Sequence, residues 1–163
     1  MLDKCGYKCI YVGKCGVELF LGTYKPLLDE KNRVSIPAKL RKVAESGSNI
    51  DNLIILPGFD GCIMCVQFQD WENFVKEKLL VLSQSEPENR KKVRFILSGA
   101  VECELDKQGR IVIPQYLKEY ASIDKEVVII GVYDRIEIWS AEEYEKYLGD
   151  ESGRDLISGN FGF

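Results

Sequence analysis

Two short stretches of the chain follow an arginine with bulky apolar residues two positions apart and end on proline: RVSIP at residues 33–37, where a serine stands between them, and RIVIP at residues 110–114. Alternation places Val34 and Ile36, and likewise Ile111 and Ile113, on one face of a strand. The proline closes the strand and suits the first turn of a helix, where its missing N–H costs nothing. Leu40, Val43 and Ala44, matched by Leu117, Tyr120 and Ala121, then form an apolar stripe at i, i+3, i+4, so a helix is expected after each proline. Further on, NLIILPG and EVVIIGV are apolar runs of strand length, and each is followed by an alternating run, CIMCVQF or RIEIWS. A helix is expected after each pair, with Asp70 and Ser140 as N-caps. Between the two series, KEKLLVLSQSEPENRKKVRFILSGA reads as a helix, a break at residues 83–85, and a second helix begun by a Ser85…Glu88 capping box.

The series is thus written twice. Residues 28–44 and 105–121 share seven identities in seventeen, and Gly22 matches Gly99 at the same offset. After a four-residue shortening the correspondence resumes, with Gly58/Gly131, Ile63/Ile136, Trp71/Tyr144 and Phe74/Tyr147 in step. In each copy a strand leads into Asp29 or Asp106, a turn follows whose left-handed position falls on Asn32 or Gly109, and Arg33 or Arg110 stands at the turn end. Units of about fifty residues cannot bury enough surface alone, so the copies are expected to pair in one β-rich, mixed α+β core as an internal pseudo-dimer. The divisions expected are an extension over 1–18, a first repeat over 19–74, a helical connector over 75–98, a second repeat over 99–148 and a tail over 149–163, with poor order at both ends.

Composition narrows the function. The chain has 163 residues, 45% apolar and 29% charged, which is enough for a packed interior. No window approaches the run of about eighteen apolar residues that a membrane helix needs, and the N-terminus offers only CIYV where a signal peptide carries an apolar run, so a cytoplasmic protein without a membrane partner is expected. Histidine is absent, which removes the commonest general base and metal ligand. No nucleophile–base pair is evident; the reading is of a protein that is not an enzyme, with no cofactor and no small-molecule substrate. In that compartment Cys5, Cys9, Cys15, Cys62, Cys65 and Cys103 are expected as reduced thiols. Cys62 and Cys65 fall on opposite faces of an alternating strand, and no ligand set for a metal is completed.

Net charge is −4, unevenly spread: residues 1–98 hold 15 Lys+Arg against 12 Asp+Glu, and residues 99–163 hold 7 against 14. Residues 25–42 concentrate the positive charge, with Lys25, Lys31, Arg33, Lys39, Arg41 and Lys42 against Asp29 and Glu30. That stretch can meet a polyanion although the whole molecule is acidic. Each Asp-x-x-x-Arg has two readings: a local device in which the aspartate takes turn N–H groups and pairs with the arginine, or an arginine presented to grip a phosphate or guanine edge. Arg33 is expected to face solvent free of internal duties, and Arg110, among Glu102, Glu104 and Asp106, to be the intramolecular partner. RKKVR at 90–94 reads as a solvated helix face, and Trp71, Phe74, Tyr144 and Tyr147 as core packing.

The doubled Asp29…Arg33 and Asp106…Arg110 motifs, with SIPAKLR, FDGCI, LSGAVECELDKQGRIVIP and DRIEIW, resemble the MraZ family, bacterial proteins built from two SpoVT–AbrB-type domains; the resemblance runs from about Leu19 to Leu148. It implies a swapped-hairpin, β-barrel-like core with flanking helices. It also implies a ring-like homo-oligomer that binds double-stranded DNA in the nucleoid and regulates transcription of the division and cell-wall gene cluster, including its own operon. Carried onto this sequence, the DNA-contacting arginine falls on Arg33 with Lys31 beside it and the structural aspartate on Asp29, while the second motif supplies Asp106 and Arg110; the basic stretch adds Lys39 and Arg41 as candidate DNA contacts, and turn chemistry adds Asn32 and Gly109 as structural positions. Asn32 stands where glycine is common, and residues 1–18 lie outside the pattern. The alternatives from other classes are a protein-interaction ring or antitoxin-like module, and a cysteine-based metal or redox protein.

Overall fold

The structure is a computed structural model that describes residues 19–45 and 53–149. The expected N-terminal extension with Cys5, Cys9 and Cys15, and the tail beyond Gly149, lie outside the described residues, as do the side chains of Val43 and Ala44. In chain order the elements are β1 (Phe20–Tyr24), β2 (Arg33–Ser35), α1 (Ala38–Glu45), β3 (Leu53–Pro57), a single 3-10 turn (Phe59–Gly61), β4 (Ile63–Gln67) and α2 (Phe68–Phe74), which widens into a π-helical turn over Val75–Leu79. Next come α3 (Pro87–Gly99), β5 (Val101–Cys103), β6 (Arg110–Val112), α4 (Gln115–Tyr120), β7 (Val127–Tyr133), β8 (Arg135–Ser140) and α5 (Ala141–Leu148). Both strand–proline–helix segments and both strand pairs of the repeat form where the periodicity predicts them.

Six strands make one antiparallel sheet in the order β1-β7-β8-β4-β3-β5, and β2 pairs with β6 in a separate two-stranded ribbon. Written by each strand's position within its repeat, that order is a palindrome about the β8–β4 junction. The first strand of each copy has crossed over: β1 pairs with β7 of the second repeat, and β5 with β3 of the first. The sheet is open, with β1 and β5 at its edges, rather than the barrel-like closure expected. β1 approaches β7 very closely, because Gly22 lies opposite Gly131 and a Cβ on Gly131 would stand 2.4 Å from the backbone of β1. A side chain there would push the exchanged strand off the sheet.

One face of the sheet carries the main core. Val34, Ile36, Ile111 and Ile113 of the ribbon and Leu40 and Leu117 of the following helices pack with Ile55, Ile63, Cys65, Ile129, Ile136 and Ile138 of the sheet. Each of these aliphatic side chains is fully buried, worth about 1.5–3 kcal/mol apiece in area removed from water. The other face holds a smaller cluster, Cys62, Val128 and Trp139, covered by Tyr144 of α5. Cys62 and Cys65 thus lie on opposite faces, as the alternation requires.

Local expectations fail at four places. Asp70 lies within the first turn of α2, whose N-cap position is Gln67; Ser140 does occupy the N-cap of α5, but its hydroxyl makes no capping bond. Before α3 no capping box forms: Glu86 is the N-cap, Pro87 opens the helix, and the Ser85 hydroxyl is turned to that of Ser83 at 2.7 Å. Arg90 ties that bend down instead, donating to the carbonyls of Gln84 and Ser85 at 2.8 Å each. Gly22 and Gly99 are not equivalent, since one lies in β1 and the other ends α3. Phe74 and Tyr147 are exposed rather than core, although Trp71 and Phe74 stack at 5.8 Å and Trp139 and Tyr147 at 4.9 Å.

Ile111 lies directly opposite Val34 at the centre of the ribbon, and both are fully buried. Ile111→Ala is expected to cost about 2–5 kcal/mol of unfolding free energy, against less than about 1 kcal/mol for an exposed neighbour such as Val112→Ala. Denaturant titration of the two variants checks this.

Candidate nucleic-acid interface

The ribbon brings the two Asp-x-x-x-Arg motifs together. Its register pairs Arg33 with Val112, Val34 with Ile111 and Ser35 with Arg110, so each motif turn sits at the opposite end of the other's strand. Within each turn the aspartate works as the local reading of the motif requires. Oδ1 of Asp29 accepts the N–H groups of Lys31 and Arg33 at 2.9 Å each, and Oδ2 accepts Nε of Arg33 at 2.7 Å. Oδ1 of Asp106 accepts the N–H groups of Gln108 at 2.8 Å and Arg110 at 3.0 Å, while Oδ2 takes Nε of Arg110 at 2.8 Å and Nη2 at 2.7 Å. Main-chain bonds complete both turns: Asn32 N–H donates to the Asp29 carbonyl, and Gly109 N–H to that of Asp106. Asn32 and Gly109 take the left-handed conformation, with φ of 55° and 73°.

The copies differ in one respect. Nη1 of Arg110 also lies 3.9 Å from Oδ2 of Asp29, so Arg110 serves two carboxylates while Arg33 is paired with its own. Contrary to expectation, Arg33 is not free of internal duties. It is half-buried, with 30% of its side chain exposed against 26% for Arg110. The hydrogen bonds from Arg110 hold the Asp106 carboxyl at about 2, and the Arg33 N–H first of all lowers that of Asp29.

The MraZ family model, described as "MraZ protein, putative antitoxin-like", matches the chain in two units, residues 19–95 and 96–158. Proteins named "Transcriptional regulator MraZ" are similar over most of the length. The one from Clostridium acetobutylicum is 46% identical over 138 residues, 85% of this chain and 92% of the relative. The one from Clostridium beijerinckii is 45% identical over 141 residues, covering 86% and 93%. The one from Caldanaerobacter subterraneus subsp. tengcongensis is 44% identical over 129 residues, covering 79% and 86%. The chain belongs to the MraZ family.

Of the candidate site residues, Asp29, Asn32, Arg33, Asp106, Gly109 and Arg110 meet at the ribbon, and Lys31 is exposed in the first turn. Lys39 is exposed near the start of α1. Arg41 is drawn inward: it is half-buried and its Nε donates to the Ile36 carbonyl at 3.0 Å. The sequence reading passed over Lys118, whose Nζ reaches Oδ1 of Asn32 at 3.4 Å. The repeat held the signal, since Lys118 follows Arg110 by the same eight positions that separate Arg41 from Arg33.

Elsewhere the chemistry is quieter. Burial pushes the thiols of Cys62 and Cys103 up to about 12 and raises that of Cys65, so these three remain protonated near neutrality. Among the described residues no three His, Cys, Asp or Glu side chains gather as a metal-ligand group. On the sheet face away from the ribbon, a cleft of about 350 Å³ is lined by Phe59, Trp139, Tyr144 and Tyr147 with Glu137. That buried carboxylate is already engaged by Nε of Arg135 at 2.9 Å and Nε1 of Trp139 at 3.1 Å.

The Asp106 pairing has a pH signature. Its folded-state value of about 2 is below the roughly 3.9 of an unfolded aspartate, so its contribution is fully present above about pH 4 and is lost as the pH falls toward 2. Asp106→Asn is therefore expected to be less stable than the parent at pH 6 and to lose less stability between pH 4 and pH 2. Denaturant midpoints across that range test both parts.

Proposed function

We propose that the chain is a DNA-binding transcriptional regulator that grips duplex DNA with its motif ribbon, the first repeat providing the principal contact. The observation that carries this reading is the pairing of the two arginine-bearing motif strands in one ribbon, with Arg33 the less committed of the two arginines. An arginine fork has five N–H donors, and a carboxylate on one edge leaves others for a phosphate or a guanine edge. Lys31, Lys39 and Lys42 add exposed positive charge to the same repeat. The printed names of the relatives support regulation of transcription. On the family resemblance, the target is the division and cell-wall gene cluster with the chain's own operon, and the protein works in the cytoplasm on the nucleoid. No helix among the described residues is long and apolar enough to cross a membrane.

In this reading residues 19–74 and 99–148 are two SpoVT–AbrB-type repeats that act as an internal pseudo-dimer, joined by a connector over 75–98. One such unit makes few phosphate contacts, and assembly into a ring multiplies them along a duplex. Exposed Leu80, Val81 and Phe95 on the connector and the open edges of β1 and β5 are surfaces suited to a second copy. Light scattering at micromolar concentration is expected to report an oligomer; a monomer there overturns the assembly.

Selection from a pool of random-sequence duplexes, then titration of the enriched duplex at two salt concentrations, tests DNA binding. Arg33→Ala is expected to weaken binding about five- to a hundredfold with fold retained, since one base-edge contact is worth about 1–3 kcal/mol. Arg110→Ala, which removes the partner of two carboxylates, is expected to lower stability more than affinity. Failure to enrich any duplex, or unaltered binding by Arg33→Ala, overturns the reading.

A further inference from the structure

α1 and α4 do not merely cover the core; each reaches across to the turn of the other repeat. After β2 the chain passes directly under the second motif, where Ile36 N–H donates to the Gly109 carbonyl at 2.9 Å. The Ile36 carbonyl then accepts Nε of Arg41, one turn into α1, at 3.0 Å. This lays the guanidinium over the second turn, so closely that a Cβ on Gly109 would stand 2.6 Å from its Nε and Cζ. The mirror contact starts from Ile113 N–H, which donates to the Asn32 carbonyl at 2.8 Å, and ends with Nζ of Lys118 on the Asn32 side chain at 3.4 Å.

The residue pairs are matched to each other. Glycine at the left-handed position leaves a bare surface on which a broad, flat guanidinium can lie. Asparagine at the other left-handed position carries its own side chain there, and the opposite helix brings a compact ammonium that donates one of its three N–H groups to the amide oxygen. Asn32 holds a left-handed conformation that costs a residue with a side chain and persists where its surroundings over-determine it, whereas Gly109 adopts it freely.

We infer that Arg41 and Lys118 are positioning residues: each holds the motif turn of the opposite repeat in shape, so that the arginine of one repeat is presented by a cation of the other. This assigns Arg41 a role distinct from the polyanion contact that its place in the basic stretch over residues 25–42 suggests for it. The effect on DNA rests on the function proposed above; the effect on the turns does not.

Amide hydrogen exchange by NMR on the full chain without DNA tests the turns. Arg41→Ala is expected to speed exchange of the Gln108, Gly109 and Arg110 amides about five- to tenfold, the scale of one lost net hydrogen bond, with Ile129 in the sheet unchanged. Lys118→Ala is expected to do the same, more weakly, at Lys31, Asn32 and Arg33, and it supplies the test if Arg41→Ala does not fold. Lys42→Ala, which removes an exposed charge beside Arg41, is expected to leave all these rates alone. Unchanged exchange at the opposite turn in the folded variants overturns the inference, as does an equal change in Lys42→Ala. With the duplex enriched from the random pool, Arg41→Ala is expected to lose affinity at an unchanged slope of log K against log salt. A direct phosphate contact would instead lower that slope by about 0.9 per subunit engaged, and that result also overturns the inference. If the parent enriches no duplex, the proposed function fails while the exchange measurements still decide the positioning role.

Discussion

The structure depends on the pairing of two three-residue strands, Arg33–Ser35 and Arg110–Val112, across the buried contact of Val34 with Ile111. A strand that short has too few main-chain bonds to persist alone, and neither turns back to pair within its own repeat. Each obtains its partner from the other copy, which binds together segments seventy-seven positions apart. The exchange of β1 and β5 follows the same rule. Neither repeat is therefore complete by itself: its edge strand, its ribbon partner and the brace on its turn all belong to the other.

That arrangement creates an electrostatic difficulty. Bringing both motifs to one ribbon places two guanidinium groups close enough for one of them to serve both aspartates. Like charges held this near would oppose the pairing if each did not carry its own carboxylate. The aspartates do two things at once, organising the turn through backbone N–H groups and screening the arginines from one another. The family's characteristic spacing fits both tasks, since four residues is the span over which a turn returns the side chains to a common side. The paired motifs are close to neutral, and the exposed Lys31, Lys39 and Lys42 supply local positive charge on an acidic chain, which suits recognition of a polyanion in a confined region rather than adhesion over the whole molecule.

Sequence reasoning failed where tertiary packing competes with local preference. Asp70 and Ser85 look like N-caps because they precede helix-forming runs, yet the strands before α2 and the Pro87 start of α3 set the helix entry by other means. Phe74 and Tyr147 recur at helical spacing in both repeats, yet both stay exposed: Tyr147 lies against Trp139 from outside the buried cluster of Cys62, Val128 and Trp139, and Phe74 pairs with Trp71 of its own helix. Arg33 was legible as the motif arginine but not as a paired one, because the difference between it and Arg110 comes from a single extra contact to the opposite repeat.

What the sequence determined by itself is everything written in short-range periodicity and turn chemistry. The period-two faces of Val34, Ile36, Ile111 and Ile113 were legible in this way, as were the proline-opened helices, the left-handed positions at Asn32 and Gly109, the doubling of the unit and, through the motifs, the family. Only the tertiary structure decided which strand pairs with which, that the sheet stays open, and that Arg41 and Lys118 cross to the opposite turns. The reason is physical: a local pattern specifies which face of an element is apolar, whereas the partner that covers that face is selected by the joint packing of both repeats, and two repeats with the same apolar pattern offer each strand two similarly patterned partners.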